Sequence, residues 1–167
     1  NCLTTKMIVT WRNWPQRDLF LKRVQYHLNK TPARYAYYPE AARRFERFAG
    51  QPAPGNDDGR LPWVLLVDQS IEQRPELFEE ESFVCVCAET ALAAETPQQF
   101  LALATDFVND RMTGTLCASI SVTPQFRRQH SSEFEQCLVG LRYGTVCINQ
   151  WSGIAYGLIS PPWGAYP

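Results

Sequence analysis

Ser82–Asn149 reads SFVCVCAETALAAETPQQFLALATDFVNDRMTGTLCASISVTPQFRRQHSSEFEQCLVGLRYGTVCIN, and its rhythm decides the fold. Ser82–Thr90 is a short apolar, β-branched run of the kind that forms a strand. Thr96-Pro97 pairs an N-cap residue with a first-turn proline and opens a helix to about Asp110. Phe100, Ala104, Phe107 and Val108 share one face of that helix. Thr115–Val122 is a second strand. Ser132 caps a helix through Tyr143 that points Phe134, Cys137, Leu138 and Leu141 inward, and Gly144 is a fitting stop. Thr145–Asn149 is the last strand. Each crossover is too long for a hairpin and long enough for parallel pairing. The strands are near-continuous apolar runs, as expected where both faces of a sheet are covered.

The same alternation extends toward the N-terminus. Met7–Trp11 (MIVTW) reads as a strand, and Pro15 opens a helix to about Asn29 with Phe20, Val24 and Leu28 on one face. Arg17, Lys22 and Arg23 point away from that face. Thr31-Pro32 breaks the helix. Pro39 opens a shorter one through Phe48, with Ala42, Phe45 and Phe48 at threefold spacing and Gly50 as its end. Gln51–Gly59 (QPAPGNDDG) is a loop, and Leu61–Asp68 is another strand. The expected fold is therefore α/β, a mainly parallel sheet with helices on both faces, in a single domain over residues 1–167. Strand order is not fixed by the pattern.

Composition narrows the function classes. Of 167 residues, 45% are apolar and 20% charged, which excludes a disordered tail or a coiled coil. The formal net charge is −1, so no general electrostatic pull toward nucleic acid or anionic membrane is expected. Apolar runs such as Trp63–Val67 fall far short of the ~20 residues that a membrane helix needs. The six cysteines (Cys2, Cys85, Cys87, Cys117, Cys137 and Cys147) are sparse for a secreted disulfide scaffold. No basic-then-apolar leader precedes the first strand, and a reduced, cytoplasmic protein is expected. A chain that starts at Asn1 and stops at Pro167 also reads as a piece of something longer.

Few residue patterns carry chemistry unaided. His27 lies on an amphipathic helix and His130 in a polar connection, neither beside a nucleophile, and both read as surface or helix-flanking histidines. The GxSxG signature of a Ser-His-Asp hydrolase is missing. Cys85-Val86-Cys87 lacks metal-knuckle spacing and a matching second pair, so core packing is the reading and no metal is expected. Neither GxGxxG nor GxxxxGK[ST] occurs, so the usual phosphate cradle is missing. Arg43-Arg44-Phe45-Glu46-Arg47 reads as a solvated helix face. Glu79-Glu80-Glu81 at a strand entrance is either simply solvated or able to grip a sugar hydroxyl. Cys2 sits before the polar Thr4-Thr5-Lys6, where backbone amides and a lysine would lower a thiol pKa and favour a nucleophile.

Taken in order, these segments resemble the aldehyde dehydrogenase superfamily. Asn1-Cys2 followed by a strand and an amphipathic helix is similar to the segment that bears its catalytic cysteine. Glu80-Glu81-Ser82-Phe83 resembles the family's Glu-Glu-x-Phe-Gly-Pro-Val motif. Leu116-Cys117-Ala118-Ser119-Ile120 resembles its Leu-x-Ala-Ser-Ile strand. Val146-Cys147-Ile148-Asn149 resembles its Val-x-Val-Asn, and Pro162-Trp163-Gly164-Ala165-Tyr166 its Pro-Phe-Gly-Gly-Tyr/Phe. The likeness runs over essentially the whole chain.

The resemblance implies a cysteine-bearing catalytic domain of an oxidoreductase that takes an aldehyde to an acid with NAD or NADP. Cys2 would be the nucleophile, its own N–H part of the oxyanion hole. Glu81 would bond the nicotinamide ribose, with Phe83 packed beside it. Asn149 would brace the active-site loops and Trp163 would line the substrate tunnel. The family's cofactor-binding domain, general base and oxyanion asparagine lie upstream of the cysteine and its oligomerising tail downstream, so the isolated piece would be inactive and an oligomer would belong to the full-length protein. Val84-Cys85 stands where the family has Gly-Pro, Ala165 replaces its second Gly, and Thr31–Pro39 (TPARYAYYP) is not a general family feature. These departures mark a divergent branch and leave a second reading open, a non-catalytic family member or partner-binding domain.

Overall fold

The structure, a computed structural model, describes residues 3–55 and 59–167. They form two compact units, Leu3–Ala93 and Ala94–Pro167. In the first, β1 (Met7–Trp11) leads to α1 (Arg17–Lys30), β2 (Arg34–Tyr35), α2 (Ala41–Ala49), β3 (Arg60–Leu61), β4 (Val64–Leu66), α3 (Glu76–Glu79) and β5 (Val86–Leu92). The second contains α4 (Pro97–Asp110), β6 (Cys117–Ile120), α5 (Pro124–Gln129), α6 (Ser131–Gly140), β7 (Thr145–Ile148) and α7 (Ile154–Gly157). The fold is α/β with mainly parallel strands.

In the first unit three strands pair in the order β1-β5-β4, all parallel. Met7 pairs with Ala88 and Trp11 with Leu92 on one side of β5, and Val64 pairs with Val86 on the other. The central strand is accordingly the most buried: Val86, Ala88 and Ala91 are core residues. The two-residue strands β2 and β3 form a separate antiparallel pair.

Helix phases differ in places from the sequence pattern. On α2 the inward residues are Ala41, Phe45, Phe48 and Ala49, a full helical repeat, and Ala42 is exposed. The helix starts at Ala41 because Glu40 is left-handed (φ 58°) and cannot belong to it; Gly50 ends it at φ 69°. On α1 the expectation for Arg17 is overturned: Arg17 is buried alongside Leu21, because its charge meets a carboxylate inside the fold.

In the second unit Thr96 accepts a hydrogen bond from Gln99 N–H and Pro97 begins α4, as the pairing of residue types dictates. Strands β6 and β7 run parallel, Cys117 opposite Thr145 and Ile120 opposite Ile148. Helix α5 lies in what the sequence reads as a polar connection. Its start repeats the same device, Thr123 accepting from Phe126 N–H at 3.1 Å with Pro124 next. Among the described residues no helix is long and apolar enough to cross a membrane.

Candidate functional site

The residues singled out from the sequence fall into two groups. Glu81 and Phe83 lie in the first unit, on the turn that feeds β5; Asn149 and Trp163 lie in the second. Cys2 lies outside the described residues.

The turn before β5 is not the extended strand start that its composition predicts. Phe83 adopts φ 51°, a left-handed conformation that a bulky residue rarely takes, and the strand begins only at Val86. Neighbours on one side hold the ring. Tyr38 packs at 5.3 Å between centroids and the Arg44 guanidinium lies 5.8 Å from the ring centre. Phe83 is nonetheless 39% exposed. Arg44 Nη1 also donates to the Glu81 carbonyl at 3.5 Å, and Arg47 pairs with Glu80. The loop is thus gripped by α2 along its length.

Lys6 approaches from beneath. Its Nζ donates to the Phe78 carbonyl at 3.0 Å and stands 3.9 Å from Glu81 Oε1. Burial pushes the Lys6 pKa down, opposed by the carboxylates of Glu81 and Glu80. Thr4, Thr5, Lys6, Glu81, Phe83 and Val84 edge a depression of about 20 Å³, room for one water. Chemically, the turn offers a half-exposed carboxylate and an exposed aromatic edge side by side. A carboxylate accepts hydrogen bonds from vicinal hydroxyls and an aromatic edge packs against a flat ring.

Asn149 follows β7 with φ 56°. Its Oδ1 accepts from Val122 N–H at 2.8 Å, its Nδ2 donates to the Val122 carbonyl at 2.9 Å, and its own N–H donates to the Ile120 carbonyl at 2.8 Å. One side chain therefore ties together the carboxyl ends of two parallel strands, the edge where α/β folds gather functional groups. Trp163 is half-buried and packs edge-on against Tyr156 at 5.7 Å. Its neighbour Gly164 is fixed by close approach: a Cβ on Gly144 would lie 1.7 Å from the Gly164 carbonyl oxygen. Tyr166 N–H then donates to the Thr115 carbonyl at 3.1 Å.

One polar constellation is absent from the sequence reading. Glu89 is fully buried in the middle of the central strand. Arg17 Nε donates to Glu89 Oε1 at 2.9 Å and Nη2 to Oε2 at 2.7 Å, a two-pronged pairing. Thr10 Oγ1 also donates to the carboxylate, as does Asp68 N–H at 3.0 Å. Arg17 Nη2 reaches Asp68 Oδ1 at 2.7 Å. Burial alone would raise the Glu89 pKa, but Arg17, Thr10 and the Asp68 amide together hold it below the usual carboxylate range. The signal in the sequence is a lone acid inside an apolar run, Ala88-Glu89-Thr90, which needs a cation from elsewhere.

The remaining candidates are structural in their surroundings. Cys87 lies on β5 and burial pushes its pKa up to about 12; burial also raises those of Cys85 and Cys137. Cys85 precedes β5 and Cys87 lies within it. All five described cysteines are free thiols. His130 sits between α5 and α6, against Phe126 and within 2.9 Å of Gln98. Among the described residues no group of three His, Cys, Asp or Glu side chains could hold a metal.

No protein-family model matches the chain, and no curated protein matches it. Solved structures do. An oxidoreductase from Marinobacter aquaeolei superposes with a TM-score of 0.68 at 15% identity, over 92% of this chain and 33% of its own. Betaine aldehyde dehydrogenase from Staphylococcus aureus, in complex with NAD+, gives 0.62 at 16% identity over 87% and 31%. Lactaldehyde dehydrogenase from Escherichia coli gives 0.56 at 15% identity over 87% and 32%. The chain spans about a third of the length of these structures. Its fold is that of one third of an aldehyde dehydrogenase.

Proposed function

We propose that this chain is the cysteine-bearing catalytic part of a divergent aldehyde-dehydrogenase-like oxidoreductase, working in the cytoplasm as part of a longer protein. The observation that carries the reading is the likeness of fold to aldehyde dehydrogenases over nearly the whole chain. The exposed Glu81–Phe83 pair supports it further, since it suits the ribose of a nicotinamide cofactor.

In this reading the Cys2 thiolate attacks the aldehyde carbon, and its backbone N–H helps to hold the oxygen that becomes anionic. NAD or NADP, when bound, supplies the acceptor for the hydride that leaves that carbon. The resulting Cys2 thioester is hydrolysed by water, which releases the acid and restores the thiol. Glu81 accepts a hydrogen bond from the ribose and Phe83 packs beside it. Asn149 keeps the loops after β6 and β7 in register, and Trp163 lines the approach of an aldehyde. The general base and the phosphate cradle belong to the rest of the longer protein, so the 167-residue piece alone does not turn over aldehyde.

The test is thiol reactivity in the complete protein. Iodoacetamide at neutral pH should alkylate Cys2 selectively and faster than free cysteine, and Cys2→Ser should abolish aldehyde-dependent NAD(P)H formation. Labelling no faster than free cysteine would favour the non-catalytic reading, and NAD(P)H production by the isolated piece would contradict the assignment of the base to another segment.

A further inference from the structure

Lys6 brings a cation to the Glu81 turn from another part of the first unit, and its surroundings fix where that cation stands. The Lys6 carbonyl accepts from Ala88 N–H at 3.0 Å, which pins the backbone just ahead of β1 to the central strand. Its side chain shares a small depression with Phe48, Leu77, Val86 and Ala88 and is only 15% exposed. Its Nζ donates to the Phe78 carbonyl at 3.0 Å. A surface lysine gives up rotamer freedom when it forms an ion pair, and that loss cancels most of the gain. Here packing and the Phe78 carbonyl have already removed the freedom.

Glu81 is the mobile half of the pair. Its carboxylate is 42% exposed and its Oε1 stands 3.9 Å from Lys6 Nζ. A hydrogen bond from an ammonium to a carboxylate spans about 2.7–2.9 Å, so this attraction is coulombic. It draws the carboxylate toward a fixed point without occupying a lone pair, and an ionised carboxylate has about four acceptor positions to offer. The neighbouring arginines are engaged elsewhere. Arg47 pairs with Glu80, and Arg44 donates to the Glu81 carbonyl rather than to its carboxylate.

The place of Lys6 in the chain gives this contact a second consequence. Lys6 follows Cys2 by four residues, and Glu81 lies on the turn that feeds β5. One side chain therefore joins the segment that bears the proposed nucleophile to the acid proposed for the ribose. Hydride transfer depends on the spacing of those two parts, and a misplacement of about 1 Å can cost on the order of a hundredfold.

Resting on the reading of Glu81 as the ribose acceptor, we propose that Lys6 is a positioning residue for the nicotinamide cofactor: its fixed ammonium holds the Glu81 carboxylate by charge alone and leaves both carboxylate oxygens open to the ribose hydroxyls.

Titration of the complete protein with NADH and with NADPH, followed by nicotinamide fluorescence, tests this in the wild type, Lys6→Gln, Glu81→Gln and the double variant. Glutamine at position 6 can still donate to a carbonyl, so the variant stays folded by circular dichroism; Lys6→Met, which keeps the stem, is the second variant. Each single change should weaken binding of the preferred cofactor about five- to tenfold. The double variant should bind no more than about twofold more weakly than Glu81→Gln, because a residue that acts through Glu81 has nothing left to act on. A lysine with a purely structural role would instead give losses that multiply, and that result overturns the inference. Wild-type affinity in folded Lys6→Gln or Lys6→Met, with Glu81→Gln weakened, overturns it too and leaves the reading of Glu81 standing, as does slower alkylation of Cys2 by iodoacetamide with cofactor binding unchanged. Wild-type affinity in Glu81→Gln, or no saturable signal from the wild type with either cofactor, overturns the reading of Glu81 and this inference with it.

Discussion

Replacing Arg17 with Met tests the energetics of the first unit most directly. The substitution keeps the aliphatic volume of the stem but removes the guanidinium that makes two bonds to Glu89 and one to Asp68. Glu89 is 0% exposed, so water cannot replace what is lost. Breaking a buried pair by deleting one partner costs about 3–5 kcal/mol, which for a chain of this size lowers Tm by about 10 °C. The pH dependence separates this account from simple loss of packing. In the wild type the Glu89 carboxyl is held below its unfolded value. Its stabilisation is therefore complete above the ordinary carboxylate range and is lost as pH falls through the lowered folded value. In Arg17→Met the buried carboxyl loses its cation and its pKa rises above the unfolded value. That variant's deficit should shrink as pH falls from 8 toward 5, where the carboxyl takes up a proton. Urea denaturation followed by far-ultraviolet circular dichroism at several pH values measures both. A double change, Arg17→Met with Glu89→Leu, should recover at least half of the loss, because an apolar pair needs no counter-ion. A deficit under 1 kcal/mol, or one that does not change with pH, would refute the reasoning.

The remaining predictions concern single side chains. Gly144→Ala places a methyl group where the Gly164 carbonyl sits; it should cost at least about 2 kcal/mol in urea melts and alter Trp163 fluorescence. Asn149→Ala removes both bonds to Val122 and leaves a non-glycine residue at φ 56°, for an expected loss of about 2–3 kcal/mol. Asn149→Gly keeps the backbone at ease and should fall between that variant and the wild type; the opposite order would refute the assignment of strain. Cys87, with its pKa raised to about 12, should resist iodoacetamide at pH 8 in the folded chain and react only on unfolding, as read by mass spectrometry.

What the sequence makes legible is whatever neighbouring residues decide among themselves. Met7–Trp11 and Pro97–Asp110 form as read, because β-branched composition and a Thr-Pro start act locally. Thr123-Pro124 carries the same start signal and begins α5; the polar residues after it hide the helix, since α5 has no buried residue. The phase of α2 escapes the pattern because its first residue depends on the left-handed turn at Glu40. Arg17 and Glu89 escape for another reason. They stand 72 residues apart, and pairing over that distance is set by the sheet. The turn at Phe83 is hidden likewise: its conformation is held by Tyr38 and Arg44 from another segment. In the candidate site, the acid and the aromatic were readable as residues, whereas their exposure and their grip by α2 were not.

The amide of Asn149 has a mechanical consequence. Because it grips Val122 at both ends, the linkers leaving two adjacent strands behave as one stiff part rather than two independent ones. Lengthening either would drag the other with it, so grafting new sequence at this rim calls for changing both together and leaving that asparagine in place.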